Sequence, residues 1–252
     1  MTNIKNYLKI IGREVKAAFT ENKYIILIIA AIFIITALIG FFFAANLQTL
    51  MNPVVQTFQQ RISSGQVTLT THSLYYNNVI ATLTIYVGSL LMGVFGILAI
   101  IVNALLIGFY AAIYNAHNQI ILYLLLILPH GIFEIPALVI ASSGGFVMLA
   151  FIIKFLINLI SPDYTYTEIF DPVYNQDKIT LKETLKMSWR KNGKMLKQSI
   201  ILLIVAVVLL MIAAFVEANI TKPLAFTIFK YFFGTKKKIN LFFCIFYLFV
   251  IE

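Results

Sequence analysis

Four long apolar runs alternate with polar segments along the chain, at residues 24–45, 79–114, 120–160 and 198–220. Uncharged runs near twenty residues predict membrane-spanning helices. Tyr24–Ala45 has the length of one span. Val79–Tyr114 is too long for one at 1.5 Å per residue, and Gly88, Gly93, Gly96, Asn103 and Gly108 punctuate it. It predicts two helices, roughly 79–98 and 100–117, joined by a very tight turn. Gln198–Ile220 predicts the last span, with Glu217 near its far end.

The third run, Ile120–Ile160, is the unusual one. Its centre reads Leu128-Pro129-His130-Gly131-Ile132-Phe133-Glu134-Ile135-Pro136-Ala137-Leu138. Each proline removes a backbone donor and glycine adds freedom, so the pattern predicts a helix break at Pro129, Gly131 and Pro136. Broken backbone at membrane depth is tolerated only where protein or a watery cavity satisfies it. The expectation is a re-entrant pair over residues 120–142, closed by Ser142-Ser143-Gly144-Gly145, then a crossing at about 143–160. That arrangement returns the chain to the side from which it started.

The polar segments set the orientation. Residues 1–23 carry Lys5, Lys9, Arg13, Lys16 and Lys23 against Glu14 and Glu21, with Tyr7, Leu8, Ile11, Val15, Ala18 and Phe19 at helical spacing. This predicts an amphipathic helix on the membrane surface. Residues 46–78 hold a single formal charge, Arg61, and predict an outer loop with short helices. The basic excess before the first span and its absence after it place the N-terminus in the cytoplasm. Residues 161–197 hold seven basic and five acidic residues. Within them, Thr180–Lys197 predicts a second amphipathic helix, where Trp189 beside Arg190 and Lys191 suits an interfacial anchor. The expected organisation is a cytoplasmic segment 1–23, a membrane domain 24–221 and an unassigned basic and apolar tail 222–252.

Composition agrees with this picture. The chain of 252 residues is 61% hydrophobic and 12% charged, with a mean hydropathy of +0.92. A soluble domain of this length cannot hide so much apolar surface. The net charge of +9 lies in membrane-flanking segments, so it fits anionic lipid headgroups and not nucleic acid. The lone Cys244 excludes an internal disulfide framework and a multi-cysteine metal site. The basic N-terminal segment is too long for a cleavable signal peptide, so the first span is expected to remain as an anchor.

Candidate chemistry is sparse. His130 and Glu134 sit at the break, and intramembrane ionisable residues default to functional hypotheses. They either cap backbone groups freed by the prolines or act as proton carrier, ion ligand or partner contact. Glu217 either meets them or reaches the outer interface. Asn103 suits a hydrogen bond between helices, and Lys154 suits snorkelling to an interface. A metal site needs a third ligand, with only His117 or Glu217 at hand, and no His-Glu-x-x-His sequence occurs. No phosphate loop, dinucleotide fingerprint, serine elbow or cysteine–histidine arrangement is present. The expectation is a protein that is not an enzyme and carries no cofactor or metal.

At Leu128-Pro129-His130-Gly131-x-x-Glu134-x-Pro136-Ala137 the sequence resembles the stage II sporulation protein M family. Asn77-Asn78, Asn103 with Gly108, Ala141 with Gly144-Gly145, and Ala213-Ala214-Phe215-Val216-Glu217-Ala218-Asn219-Ile220-Thr221 extend the likeness over roughly residues 10–223. Asn103 precedes Ala104 where the family often has glycine, and residues 224–252 have no recognised counterpart. The resemblance implies a multi-span protein with its N-terminus inside. The family's namesake is the membrane component that holds peptidoglycan-degrading partners during engulfment.

These observations predict an all-α polytopic membrane protein with about five transmembrane helices plus a re-entrant segment. The expected role is a membrane scaffold, whose partners are the bilayer and other membrane or envelope proteins, with homo-oligomerisation left open. The alternative is a transporter or channel-like subunit whose polar site is His130 and Glu134.

Overall fold

In a computed structural model, residues 2–63, 71–90, 93–160, 181–221, 223, 224 and 227 are described. Every regular element among them is helical. They are α1 (Thr2–Glu21), α2 (Lys23–Phe42), α3 (Ala44–Ser63), α4 (Thr71–Leu90), α5 (Val94–Ala116), α6 (Ile120–Ile160) and α7 (Leu181–Val216), the last running into a π-helical turn at Glu217–Thr221. The protein is an all-α polytopic membrane protein. Helices α2, α5, α6 and α7 with its π-turn are long and apolar enough to cross a membrane. Helix α4 is more polar, yet it packs among α5, α6 and α7. The expected amphipathic helix 180–197 and the last span prove to be one element, α7. Most of the tail 222–252 and residues 161–180 lie outside the described residues.

The expected re-entrant break is absent. Helix α6 runs through Pro129, Gly131 and Pro136 without interruption for 41 residues. In hydrocarbon no water competes for backbone groups, so continuing the helix on either side of a proline satisfies more donors than breaking it. The crossing expected at 143–160 is accordingly the second half of the same helix. One passage of α6 leaves its C-terminal end on the side of α1, which is what the re-entrant pair was needed to explain.

The turn expected near residue 99 lies instead at Gly93. That glycine takes φ 75°, a left-handed conformation that reverses the chain between α4 and α5. Its nitrogen bonds the Ser89 carbonyl and its own carbonyl accepts from Ile97. A second close approach joins α2 to α5. A Cβ on Gly40 would meet the Leu105 carbonyl, and one on Gly108 would meet the Ala37 carbonyl and the Phe41 nitrogen. Small residues bring helix backbones together where apolar side chains gain nothing over lipid.

The frame is the pair α6 and α7, which run antiparallel along their length. Ser188 Oγ donates to the Phe155 carbonyl at 2.9 Å, and Ser199 Oγ donates to the Gly144 carbonyl at 2.7 Å. Helix α4 lies parallel to α6, with Gly145 against Tyr86 and Ser89. On the other side α2 and α5 bury Ile29, Phe33, Ile100 and Ala104 against Val139 of α6. Helix α1 crosses α7 at the level where α2 begins. Glu14 pairs with Lys197 at 2.8 Å and Glu21 with Lys194 at 2.7 Å, while Asn22 Nδ2 donates to Gln198 at 3.1 Å.

Candidate functional site

The polar side chains of α6 would be unremarkable on a soluble helix. Here they lie inside an apolar bundle, at the end opposite α1. Because α6 is continuous, His130 and Glu134 at i and i+4 share one face. Both are buried, and His130 Nε2 lies 3.8 Å from Glu134 Oε2. From α4, Asn78 Nδ2 donates to Glu134 Oε1 at 2.7 Å. From the π-turn, Thr221 Oγ1 lies 3.4 Å from His130 Nδ1, and the buried Glu217 stands near Glu134. Three elements therefore converge on one acid–imidazole pair.

The π-turn has a local purpose. A π-helical turn widens the helix by one residue, and here both Glu217 and Thr221 turn into the bundle, at 1% and 0% exposure. Of the two expectations for Glu217, meeting the His130 and Glu134 pair is the one observed.

Other candidates lie elsewhere. Asn103 folds back on its own helix, donating to the Ala99 carbonyl at 2.8 Å, and does not reach the cluster. Lys154 is exposed at the far end of α6, twenty residues from Glu134 on the same helix, or about 30 Å away. His117 lies exposed in the α5–α6 turn with its Nδ1 at the Ile113 carbonyl. Pro129 and Pro136 stay within the helix and mark no break. Among the described residues, no three of His, Cys, Asp or Glu are placed to hold a metal ion.

A second polar group sits near the level of the α4–α5 turn. Tyr86 lies 2.6 Å from Ser199 Oγ, and since Ser199 donates to Gly144, Tyr86 is the donor to Ser199. Sequence reasoning gave no role to this pair or to Gln198, and named Thr221 only within a family likeness. Single Ser, Thr and Tyr residues in an apolar run carry no chemical motif, although Asn78, Thr82, Tyr86 and Ser89 at spacings of four, four and three mark one face of α4.

The arrangement ties α4, α6 and α7 together through buried ionisable, amide and hydroxyl groups. Its hydroxyl–imidazole contact, between Thr221 and His130, is buried. Residues 29–222 match the family described as stage II sporulation protein M. An uncharacterized protein of Methanocaldococcus jannaschii is 26% identical over 218 residues, covering 84% of this chain and 88% of its own length. No solved structure matches.

Proposed function

The chain belongs to the stage II sporulation protein M family, and on that premise we propose that it is a non-enzymatic membrane scaffold holding envelope-remodelling partners. The observation that carries this reading is the length of α6 and α7. At 1.5 Å per residue a 41-residue helix is roughly 60 Å long, twice the hydrocarbon thickness. Helix α2, with 20 residues, matches one bilayer core.

The excess of α6 and α7 projects at the α1 end. Exposed Lys182, Lys186, Arg190, Lys191, Lys194 and Lys197 on α7 cannot lie in hydrocarbon, where each costs about 2.5–3.5 kcal/mol. Alongside them α6 keeps the face that it uses inside the bundle. Val139, Phe146, Ile153 and Ile160 recur every seven residues; the first is buried and the second is packed against Gly93, while the last two are exposed. Leu156 and Ile157 widen this exposed strip. A large exposed apolar patch on a rigid projection suits attachment of another protein. Helix α3, at the opposite end, offers a separate surface.

The distribution of charge supports an orientation with α1 in the cytoplasm and several crossings. The basic residues of α1 and of the first half of α7 share one end of the bundle, as the positive-inside rule requires. Cross-linked co-purification from native membranes tests the scaffold. Envelope-remodelling partners should be recovered with wild type and retained with folded His130→Ala and Glu134→Gln variants. Recovery of a transport ATPase, or of no protein at all, would sink the reading.

A further inference from the structure

Helix α1 divides in two where it meets the bundle. Its second half is seated on α7: Glu14 pairs with Lys197, Glu21 with Lys194 and Asn22 with Gln198. Ala18 is buried in the apolar cluster of Ala141 and Leu202. The first half overhangs. Every residue from Lys5 to Arg13 is exposed, and a Cβ on Gly12 would meet nothing. Helix of this length without tertiary packing is marginal in water.

The two halves share one face. Tyr7, Leu8 and Ile11 lead into Val15, Ala18 and Asn22 at spacings of three and four residues, which align on a helix. Tyr7, Leu8 and Ile11 are exposed. Lys5, Lys9, Arg13 and Lys16 line the opposite face and are exposed as well. The seated face looks into the membrane, because Leu202, with Ala141 near its level, lies deeper along the bundle than Lys194 and Lys197. The exposed apolar stripe therefore looks the same way, beside the bundle, where lipid lies.

The height and tilt of α1 agree with this. Helix α2, one bilayer core in length, begins at Lys23, whose ammonium sits 5.0 Å from the centroid of the Tyr24 ring. Such a pair suits the membrane–water interface. Glu14 and Glu21 stand two helical turns apart on α1, whereas their partners Lys197 and Lys194 stand less than one turn apart on α7. Aligned helices would match those spacings, so α1 lies across α7 and along the membrane surface.

Charge selects the lipid. Both acids of α1 are held by lysines of α7, which leaves its basic residues as the charge that it presents. We propose that residues 5–13 of α1 bind anionic lipid in the leaflet on the α1 side. Tyr7, Leu8 and Ile11 are immersed beside the bundle, and Lys5, Lys9, Arg13 and Lys16 snorkel to lipid phosphates. Each basic residue near an anionic surface strengthens attachment about fivefold. This inference is independent of the scaffold reading.

Spin-label accessibility on the full chain in lipid vesicles tests it. Labels are placed singly at Leu8→Cys, Lys9→Cys and Ile11→Cys in a Cys244→Ser background, in an equal mixture of phosphatidylglycerol and phosphatidylcholine. The ratio of collisions with oxygen to collisions with a neutral nickel chelate should be at least fivefold higher at positions 8 and 11 than at position 9. At position 8 it should fall at least twofold in phosphatidylcholine alone. Lys5→Gln, Lys9→Gln, Arg13→Gln and Lys16→Gln together should abolish that dependence on lipid, with an unchanged unfolding temperature in detergent. Equal ratios at the three positions would mean that α1 stands in water, its stripe left for a protein partner. An equal ratio at position 8 in both lipids would remove the anionic class. Immersion lost on dilution with lipid would assign the stripe to a second copy of the chain. Each of these three results overturns the proposal.

Discussion

Asn78 and Glu134, 56 residues apart in sequence, meet through a 2.7 Å hydrogen bond inside the bundle. Without that donor the Glu134 carboxyl would keep, among the described contacts, His130 at 3.8 Å. Asn78→Ala should therefore destabilise the folded protein by about 1–3 kcal/mol, the penalty for stranding a buried polar group. Glu134→Gln keeps an acceptor for Asn78 and should be milder. The measurement is thermal unfolding in a fixed detergent, completed as a double-mutant cycle. Purely additive losses from Asn78→Ala and Glu134→Ala would show that the bond contributes nothing.

The crossing of α2 over α5 leaves no room at Gly108. A Cβ there meets the Ala37 carbonyl and the Phe41 nitrogen, both backbone atoms that cannot rotate away. Gly108→Leu should cost about 1–3 kcal/mol or more through overpacking, whereas Gly12→Ala, with nothing near its Cβ, should be neutral or stabilising because alanine favours the helix. Equal unfolding temperatures for the two variants would contradict the close crossing.

The attachment of α1 should depend on pH. Hydrogen bonds from Lys194 and Gln198 hold the Glu21 carboxyl below its ordinary value of 4.5. The folded state therefore has the lower value, so this contribution is fully present above the ordinary value and is lost as pH falls below it and protonates Glu21. Hydrogen exchange of α1 amides, corrected for intrinsic rates, should be slow at pH 7 and accelerate below about pH 4 relative to α5 amides. Glu21→Gln should flatten that difference. Acceleration of both helices together would mean that the whole bundle opens instead.

Topology is tested with an impermeant thiol reagent in a Cys244→Ser background. A cysteine at Gln56 on α3 should react from outside intact cells, while one at Lys186 on α7 should react only after permeabilisation. Labelling at Gln56 from the cytoplasmic side would reverse the orientation.

Much of the architecture was legible in the sequence, because apolar run length is a strong signal in a membrane protein. The runs at 24–45, 79–114 and 198–220 correspond to α2, to α4 with α5, and to the second half of α7. The errors have physical causes. Pro129, Gly131 and Pro136 signal a break in water, where freed backbone groups are solvated, but not in hydrocarbon. Gly93 could not be chosen over Gly88 or Gly96 by composition, since only its φ distinguishes it. His130 and Glu134 stood out as ionisable groups in an apolar run. Asn78 and Thr221, which the sequence offered only as parts of a family likeness, joined them through helix packing, which spacing along one chain does not specify. Asn103 showed the converse, a polar residue that satisfies itself within its own turn.

The account rests on the His130, Glu134 and Glu217 cluster being a closed joint between helices and not part of a transmembrane pathway. Ion and proton flux through the purified protein in sealed liposomes measures this most directly. Wild type and Glu134→Gln should both leave the vesicles as tight as protein-free ones under an imposed pH gradient. Flux through wild type that disappears in a folded Glu134→Gln variant would contradict the scaffold and make the cluster a transport site.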